Sequence, residues 1–466
     1  MNDLLGASAT CQAAWIRERQ ISSVELVQAH LEQISRVNAK IHAAVDVFAE
    51  RAIEQARQAD NVIVRGAAAG PLHGVPFSIK DSIEYQGTRC TAGTWGRREA
   101  AISIEDAAVV TRLRAAGAIP IAKTNLPDLL FAFESDNLLF GATNNPYDRT
   151  RTSGGSSGGE AALIAACGSP CGLGSDAAGS VRLPAAFCGI TGIKPTSGRL
   201  PRTGHVPPAG GWIEALWQIG PMARHVEDLC TMMALLVGGD GRDSTVIDAR
   251  FRDPRTIPLE ELRIAFYTDN GFAPAAAEIE RVIRAAAKEL DSACASVEEA
   301  HPGCLADAYD LEMKLIGPDG GDSLRAYLQH LGSDRLHPLL CGWLEKLEPY
   351  RTDLRGFGGY WAEWDRYSAE IAAFFQRFDI IVCPAYTQTA LPHGASIADE
   401  NFRGFSHTMA YNVAGYPAAA VRCGESTNGL PIAVQVVARP YREDVALAVA
   451  LRLEAAFGGW KPPSVA

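Results

Sequence analysis

The sequence predicts an α/β fold in which one large β-sheet is covered by α-helices on both faces. Helix-like runs alternate with short apolar strands through the first half of the chain, which is typical of this class. Hydrophobic residues make up 47% of the 466 residues, enough for a large buried core. Because no linker rich in proline, glycine and serine divides the chain, we expect a single domain over residues 1–466.

The N-terminal part, about residues 1–65, is predicted to form helices that pack around the core. Ser22 and Glu25 have the spacing of a capping box, which marks the start of a helix. The residues after Ser22 are apolar at helical spacing, namely Val24, Val27, Leu31 and Ile34. A second helix is predicted over residues 43–59.

A core of about residues 70–240 follows. Val75 to Ile79 is a short apolar run that predicts a buried strand ending at Lys80. Burial penalises the charged ammonium, so the pKa of Lys80 should fall, unless it is a surface lysine paired with Asp81. The units that follow are a helix near 106–117, strand Ile119–Lys123, helix 159–167, strand 171–175, helix 180–187 and strand 189–194. The C-terminal part, about residues 375–460, is predicted to return strands to the sheet between Asp379 and Gln435 and to end in a helix over 443–456.

Charge and cysteine content exclude several classes. The net charge is −11, from 43 basic and 54 acidic residues, and no basic cluster stands out, so nucleic acid is not an expected partner. The eleven cysteines are scattered without a C-x-x-C pair. We interpret them as small core residues in a reducing cytoplasm, not as disulfides or metal ligands.

The sequence contains neither a secretory signal at its start nor an apolar run of about 20 residues, the length needed to cross a bilayer. We therefore expect a cytoplasmic protein without an integral membrane segment. No motif indicates a metal, nucleotide or flavin cofactor.

The stretch from Thr152 to Pro195 carries the candidate chemistry. It holds two glycine-flanked serines, Ser156 and Ser180, 24 positions apart and each just before a helix-like run. A glycine-rich turn at a helix start lets main-chain N–H groups converge on a negative charge. A serine at such a turn is a nucleophile, a helix cap or a phosphate ligand.

Three hypotheses compete for the turn from Gly154 to Gly159. A phosphate-binding loop fails because no Lys-Ser/Thr pair closes it. The G-x-S-x-G nucleophile elbow matches literally, but it needs a later acid and histidine. A serine hydrolase with a lysine base would use Lys80. The residues alone leave open a purely structural glycine turn. The histidines after the turn, none with a local signature, are His205, His225, His301, His330, His337, His393 and His407.

The chain resembles the amidase signature family, which includes fatty acid amide hydrolases, bacterial amidases and the A subunit of the glutamyl-tRNA amidotransferase. The run that starts at Asp136, DNLLFGATNNP, is most similar to the fatty-acid-amide-hydrolase-like branch. The resemblance implies a single-domain fold with a large mixed β-sheet. Its segments occur in family order and span most of the chain: Gly74–Asp81, Lys123-Thr-Asn, Ser153–Pro195 and Asn412–Gln435.

The resemblance implies a catalytic Ser-cisSer-Lys triad. Ser180 would be the nucleophile, Ser156 the bridging serine and Lys80 the base. The bridging serine of the family follows a cis peptide bond, here Gly155–Ser156. A neutral lysine would accept the Ser180 proton through Ser156 and return it to the departing amine.

The resemblance also places an oxyanion hole at the main-chain N–H groups of Ala177, Ala178, Gly179 and Ser180. Relatives often have Asp-x-Gly-Gly-Ser where this chain has Asp176-Ala-Ala-Gly-Ser. The methyl group of Ala178 conflicts either with a positive φ at that position or with the room beside the substrate carbonyl. Ser157, Asp176 and Arg182 are expected to support this loop, the last two as an ion pair.

The acyl pocket is expected after Lys123-Thr-Asn, with Leu130 as its substrate-binding residue. Residues 254–370 resemble the family least, and specificity commonly resides there. Further pocket candidates, each also explicable as core, are Phe131, Phe133, the loop from Pro207 to Trp217, and the aromatic run Phe357 to Trp364.

We therefore expect a serine amidohydrolase that cleaves a small or apolar carboxamide and releases ammonia or an amine. Its partner would be a small-molecule amide, and a homodimer stays open. The alternatives are the A subunit of a glutamyl-tRNA(Gln)/aspartyl-tRNA(Asn) amidotransferase, acting as a glutaminase, and a urea or carbamate hydrolase of the same family. A binding-only relative is disfavoured because Lys80, Ser156 and Ser180 are all present.

Overall fold

A mixed sheet of eleven strands forms the centre of the computed structural model, which describes residues 3–208 and 210–465. Its strand order is β1-β3-β2-β4-β6-β5-β10-β11-β9-β7-β8. In chain order these strands are Ala44–Val47 (β1), Pro76–Lys80 (β2), Ile119–Thr124 (β3), Cys171–Asp176 (β4), Thr191–Lys194 (β5), Gln218–Ala223 (β6), Arg263–Phe266 (β7), Ser296–Glu299 (β8), Ile380–Pro384 (β9), Ala418–Glu425 (β10) and Pro431–Ala438 (β11).

Helices cover the sheet. The α-helices of the described residues are Asp3–Gly6 (α1), Ala9–Arg17 (α2), Ser23–Ile41 (α3), Ala49–Val64 (α4), Ala108–Ala115 (α5), Gly158–Ala165 (α6), Arg182–Phe187 (α7), Val226–Leu236 (α8), Ala277–Asp291 (α9), Ala308–Ile316 (α10), Asp322–His330 (α11), Pro338–Leu347 (α12), Leu354–Phe374 (α13), Asp399–Phe402 (α14), Ser406–Val413 (α15) and Glu443–Phe457 (α16). Short 3₁₀ turns lie at Trp95–Arg97, Asp128–Leu130, Trp212–Leu216, Pro254–Thr256, Leu259–Glu261, Gly303–Asp307, Glu348–Tyr350 and Arg403–Phe405.

Alternation along the strands divides the core between the two faces. In β9, Ile380 and Val382 belong to the core cluster that also contains residues of α2, α5, α8, α9 and α16, whereas Ile381 and Cys383 belong to the cluster that contains residues of α10, α13 and α15. Successive side chains of a strand point to opposite faces, so each helix layer buries one of the two sets. This arrangement confirms the predicted α/β class, the mixed sheet and the helices on both faces.

Most of the predicted elements are present. The capping box of α3 forms as predicted, because Ser22 accepts from the Glu25 N–H and the Glu25 carboxylate accepts from the Ser22 N–H. The predicted core strands and helices correspond to β2 to β5 and α5 to α7, and the closing helix to α16. The C-terminal strands β9 to β11 are interrupted by α14 and α15. Eight of the eleven cysteines are buried, as expected for small core residues.

The helix predicted over 43–59 is wrong in its first turn. Ala44–Val47 is an edge strand that pairs antiparallel with β3, with Ala44 opposite Thr124 and Val47 opposite Ala122. The helix begins only at Ala49. The open edge of β3 offers unpaired main-chain groups to this segment, and the two valines of the segment favour a strand. Among the residues that the structure describes, no helix has the length and apolar composition to cross a membrane.

Two parallel strands bring the candidate residues together. β2 and β4 are parallel neighbours, with Ser78 opposite Gly172. Lys80 is the last residue of β2, and Asp176 is the last residue of β4. Because both strands end at the same edge of the sheet, the lysine and the Asp176 loop meet there.

Helix α6 packs closely over this pair of strands. The buried Glu160 of α6 accepts hydrogen bonds from the hydroxyls of Ser78 and of Thr124, the latter at 2.7 Å. A β-carbon at Gly172 would collide with the Glu160 carboxylate and would lie 2.7 Å from the main-chain oxygen of Ser78. Only a glycine at position 172 lets helix and sheet approach this closely.

We predict that Gly172→Ala destabilises the protein by about 1–3 kcal/mol, the typical cost of an overpacked core. The free energy of unfolding in urea measures this effect. Gly358→Ala is the matched control, since Gly358 is an exposed residue of α13 whose β-carbon would meet no atom within 4 Å. That control should gain about 0.5–1 kcal/mol from helix propensity. Equal stability changes in the two variants would contradict the packing argument.

Candidate active site

Lys80 lies at the centre of the site and is fully buried, with 0% of its surface exposed. Its Nζ atom lies 2.7 Å from Ser156 Oγ, 3.1 Å from Ser175 Oγ and 3.3 Å from the main-chain oxygen of Ser175. Burial lowers the pKa of Lys80 to about 7, although the carboxyl groups of Asp176 and Glu160 oppose the shift. Near neutral pH a large fraction of this lysine is therefore an uncharged amine, which can accept a proton. The alternative of a surface lysine paired with Asp81 is wrong.

Ser156 lies in the glycine-rich turn before α6, and its peptide bond with Gly155 is cis. The Ser135 hydroxyl fixes this turn, because it donates to the Gly154 oxygen at 3.1 Å and accepts from the Gly158 N–H at 2.9 Å. Ser156 is 2% exposed and is directed towards Lys80.

Ser157 joins this turn to its neighbours. Its N–H donates to the Ser180 main-chain oxygen at 3.1 Å, and its hydroxyl donates to the Ser175 oxygen at 3.2 Å. Ser157 therefore links the two serine-bearing segments, which is the supporting position expected for it.

Ser180 lies in the loop between β4 and α7 and is 7% exposed. Within residues 3–208 and 210–465 its hydroxyl has no hydrogen-bond partner, and the main-chain N–H groups of Ala177, Ala178 and Ser180 have no acceptor. Three main-chain donors of this loop and the Ser180 hydroxyl are thus without a partner in the described residues. Gly179 departs from the expectation, because its N–H already donates to Asp176 Oδ1 at 2.8 Å.

The conflict of Ala178 with a positive φ does not arise. Positive φ occurs one residue later, at Gly179 with φ +125°, and a β-carbon there would collide with the side chain of Thr408. Thr408 in turn donates from its hydroxyl to the Ala178 oxygen at 2.7 Å. The loop therefore needs glycine at 179 and accepts alanine at 178.

A buried ion pair holds the base of this loop. Arg182 contacts Asp176 through two hydrogen bonds of 2.9 Å, and both side chains are fully buried. Burial alone would raise the pKa of Asp176, but the Arg182 guanidinium outweighs burial and holds that pKa well below its usual range. Asn412 adds a donor at 3.0 Å. Asp176 and Arg182 thus occupy the supporting positions expected for them.

The two serines open into one cavity of about 330 Å³, which adjoins a second cavity of about 200 Å³ that shares several lining residues. One end of the cavity is formed by Ser156, Ser180 and the loop from Asp176 to Ala178. The remaining wall is mainly apolar and aromatic: Leu129, Leu130, Phe131, Ala132, Phe133, Ile213, Trp217, Ile316, Tyr327 and Trp343.

Several pocket candidates from the sequence line this cavity, and one does not. Leu130, Phe131 and Phe133 lie in its wall, as do Pro207, Pro208, Gly210, Ile213 and Trp217 of the loop. Ala209 lies outside the described residues, as does the side chain of Trp212. The run from Phe357 to Trp364 belongs to α13, and its Tyr360, Trp361 and Trp364 pack against the core cluster of α10 and α15. Its assignment to the pocket is therefore wrong.

Sequence reasoning did not single out Ser175 or His205. Ser175 lies next to Asp176 at the end of β4, beside the parallel strand that carries Lys80, so strand order is the signal that points to it. His205 lines the cavity, where its Nε2 is 3.0 Å from Ser175 Oγ. Its partners are Ser82, Ser175 and Pro207, and within the described part of the chain no histidine is hydrogen-bonded to the hydroxyl of Ser156 or Ser180, as a nucleophile elbow would need.

No group of three or more histidine, cysteine, aspartate and glutamate side chains is arranged to hold a metal ion within the parts of the chain that the structure describes. The polar groups at this end of the cavity are the hydroxyls of Ser156 and Ser180 and main-chain N–H donors, with the buried Lys80 amine behind Ser156.

Known proteins resemble this chain over nearly its whole length. A sequence model of the Amidase family matches residues 25–447. The A subunit of glutamyl-tRNA(Gln) amidotransferase from Thermosynechococcus vestitus is 32% identical over 94% of this chain and 95% of its own. Fatty-acid amide hydrolase 2-A of Danio rerio is 31% identical over 99% of this chain and 91% of its own.

Solved structures agree with these sequence matches. A structure of 6-aminohexanoate cyclic dimer hydrolase complexed with substrate superposes with a TM-score of 0.88, at 27% identity and 99% coverage of both chains. A fatty acid amide hydrolase structure superposes with a TM-score of 0.89, at 25% identity, over 98% of this chain and 86% of that one. With this fold and these matches, the chain belongs to the amidase signature family and is an amide-hydrolysing enzyme.

Proposed function

We propose that this enzyme hydrolyses uncharged, apolar carboxamides through an acyl-enzyme on Ser180. The Ser180 oxygen attacks the amide carbonyl while its proton passes to Ser156, whose own proton passes to the Lys80 amine. The C–N bond breaks as the proton returns through Ser156 to the departing nitrogen, which leaves as ammonia or an amine. Water then attacks the acyl-enzyme by the same route and releases the carboxylic acid.

The Lys80–Ser156 contact of 2.7 Å supports this proton path. A base works best when its pKa lies near the working pH, and burial lowers the pKa of Lys80 to about 7. Ser156 and Ser180 open into the same cavity, so a carbonyl group bound there can meet both hydroxyls.

The free N–H groups of Ala177, Ala178 and Ser180 support an oxyanion hole. The developing negative charge on the carbonyl oxygen would be stabilised by donors that have no other partner in the described residues. A single donor of this kind typically contributes about 3 kcal/mol to the transition state. We assign three donors, because the Gly179 N–H is engaged by Asp176.

The apolar wall of the cavity is the observation that carries the substrate class. Two carboxylates occur among the lining residues of the joined cavities, and both are engaged: Asp176 by Arg182, and Asp319 by the N–H groups of Gly321 and Ser323. No lysine or arginine occurs in the lining that the structure describes. An uncharged aliphatic or aromatic acyl group therefore fits better than a charged one.

Glutamine is the second candidate, because the most similar relatives include the A subunits of glutamyl-tRNA(Gln) amidotransferases. An enzyme with that role would release ammonia from glutamine for a partner chain. The ammonium and carboxylate groups of glutamine would find no free side chain of opposite charge in the described cavity wall. This lack of charged partners weighs against glutamine as the substrate.

The first prediction concerns the nucleophile and the substrate class together. The purified chain alone should release amine or ammonia from aliphatic and aryl amides faster than from glutamine. Ser180→Ala should lower kcat by about 10⁴-fold or more, because the attacking oxygen is removed. The exposed Ser292 provides the matched control, and Ser292→Ala should keep full activity. The proposal would be overturned if glutamine were the one compound hydrolysed, or if Ser180→Ala kept its activity.

The second prediction concerns pH. Lys80 accepts a proton only when it is uncharged, so kcat/KM should rise with pH through about pH 7, the lowered pKa of Lys80, and then level off. Lys80→Met should lower kcat by about 10²-fold or more and abolish this rise, because the titrating base is gone. An unchanged rise near pH 7 in Lys80→Met would show that another group is the base.

The third prediction concerns chain length. In a series of unbranched acyl p-nitroanilides, each added methylene that enters the apolar cavity should raise kcat/KM about threefold to fourfold, from about 0.8 kcal/mol per buried CH₂. A terminal carboxylate on the same acyl chain should reverse the gain. The rise should stop when the chain outgrows the two cavities. If kcat/KM does not depend on the length of the acyl chain, the acyl group does not bind in this cavity.

A further inference from the structure

His205 is a cavity residue that the proposed acyl transfer leaves without a role. It is 5% exposed, its ring packs 4.6 Å from that of Trp217, and a single β-bridge joins it to Ile83. Its Nδ1 lies 2.9 Å from the main-chain oxygen of Pro207. A carbonyl oxygen only accepts, so the ring proton lies on Nδ1 and Nε2 is an acceptor.

Nε2 of His205 faces two hydroxyls, Ser175 Oγ at 3.0 Å and Ser82 Oγ at 3.1 Å. Since Nε2 can only accept, the protons of these contacts come from the hydroxyls, and the Ser175 hydroxyl shares the single lone pair of Nε2 with the Ser82 hydroxyl. Burial lowers the pKa of His205 to about 3, so the ring stays neutral and Nε2 remains an acceptor through the neutral range. The Ser175 hydroxyl therefore faces Lys80 with its lone pairs.

This orientation decides what the Lys80 amine can do. A neutral amine has two N–H bonds and one lone pair, and Lys80 Nζ has three contacts. Ser175 supplies two acceptors, its main-chain oxygen and its hydroxyl oxygen, which take the two N–H bonds. The remaining lone pair then faces Ser156 Oγ at 2.7 Å.

We infer that His205, through the Ser175 hydroxyl, is a positioning residue that keeps the lone pair of Lys80 free for the Ser156 proton, an inference that rests on the proposed function. Without an acceptor on its far side, the Ser175 hydroxyl would turn and donate to the neutral amine. The lone pair would then be occupied and the base blocked. The charged or titratable groups around this array are Asp176, Glu160, Lys123 and Arg202.

The experiment compares His205→Leu, Ser175→Ala and the double variant. The readout is the rate at which a fluorophosphonate labels Ser180, which needs no knowledge of the natural substrate. In that reaction the Ser180 oxygen bonds to phosphorus, fluoride leaves, and the hydroxyl proton passes through Ser156 to Lys80. Turnover of the best amide is measured alongside over the pH range.

His205→Leu should slow labelling roughly tenfold to a hundredfold, a fraction of what a general base contributes. Its rate should also rise at lower pH than in the wild type, because donation from Ser175 stabilises the neutral amine. Ser175→Ala in the same chain should then restore much of the lost rate, since the blocking hydroxyl is gone. Ser175→Ala alone should have a mild effect. His205→Gln, which keeps an acceptor, should remain close to the wild type.

Recovery in the double variant is the decisive result, because a residue that merely packs would give losses that add. Additive losses, or a His205→Leu protein with wild-type labelling, would overturn the inference. If His205→Leu does not fold, His205→Asn keeps a donor for the Pro207 oxygen and removes the Nε2 acceptor, and the same comparison applies.

Two controls keep the outcomes separate. His30 is also a buried histidine bonded to a carbonyl oxygen, Cys167 O at 3.0 Å, and its pKa is also lowered to about 3 by burial, but it lies in α3. His30→Leu should leave the labelling rate of the folded protein and its pH dependence unchanged. Labelling or turnover that persists in Ser180→Ala would refute the proposed function itself. If Ser180→Ala shows neither labelling nor turnover but the double variant does not recover its labelling rate, only the role of His205 is refuted.

Discussion

Exclusion of water from the Lys80 amine is the constraint on which the site depends. The amine is fully buried, and burial brings its pKa to about 7. A single strand cannot bury the amine completely. β2 therefore lies between β3 and β4, and α6 covers β2 and β4. The close approach over Gly172 contributes to this burial, because α6 can lie directly on β2 and β4 only where no β-carbon intervenes.

Buried charge is handled in opposite ways on the two sides of the site. The Lys80 amine has no carboxylate in direct contact in the described structure, so burial favours its neutral form. Asp176 has Arg182 at 2.9 Å and stays ionised, so it anchors the loop through its contacts with the Gly179 and Val181 N–H groups. The lack of a counterion favours the neutral form of Lys80, and the presence of one keeps Asp176 charged.

Hydrophobic periodicity predicted the elements around the site well, because local spacing determines helices and buried strands. It failed at Ala44–Val47, where an open edge of β3 recruits a short segment that looks helical by itself. The resemblance singled out Lys80, Ser156 and Ser180. In the structure the two serines line one cavity, and Lys80 contacts Ser156 from the buried side. It did not find Ser175 or His205, since their importance lies in contacts across 30 or more positions of sequence. The engagement of the Gly179 N–H is likewise a property of the folded loop alone.

Part of the cavity wall comes from a region of the chain far from Lys80, Ser156 and Ser180. Ile316, Tyr327 and Trp343 lie in α10 to α12, a helical segment between β8 and β9 that contains no strand of the central sheet. Lys80, Ser156 and Ser180 instead lie on or beside β2 and β4. Substitutions in those helices can therefore reshape the space for an acyl group with little effect on the sheet. Such a separation lets one catalytic scaffold diversify: new substrates can be acquired by mutation in one region while selection preserves the other.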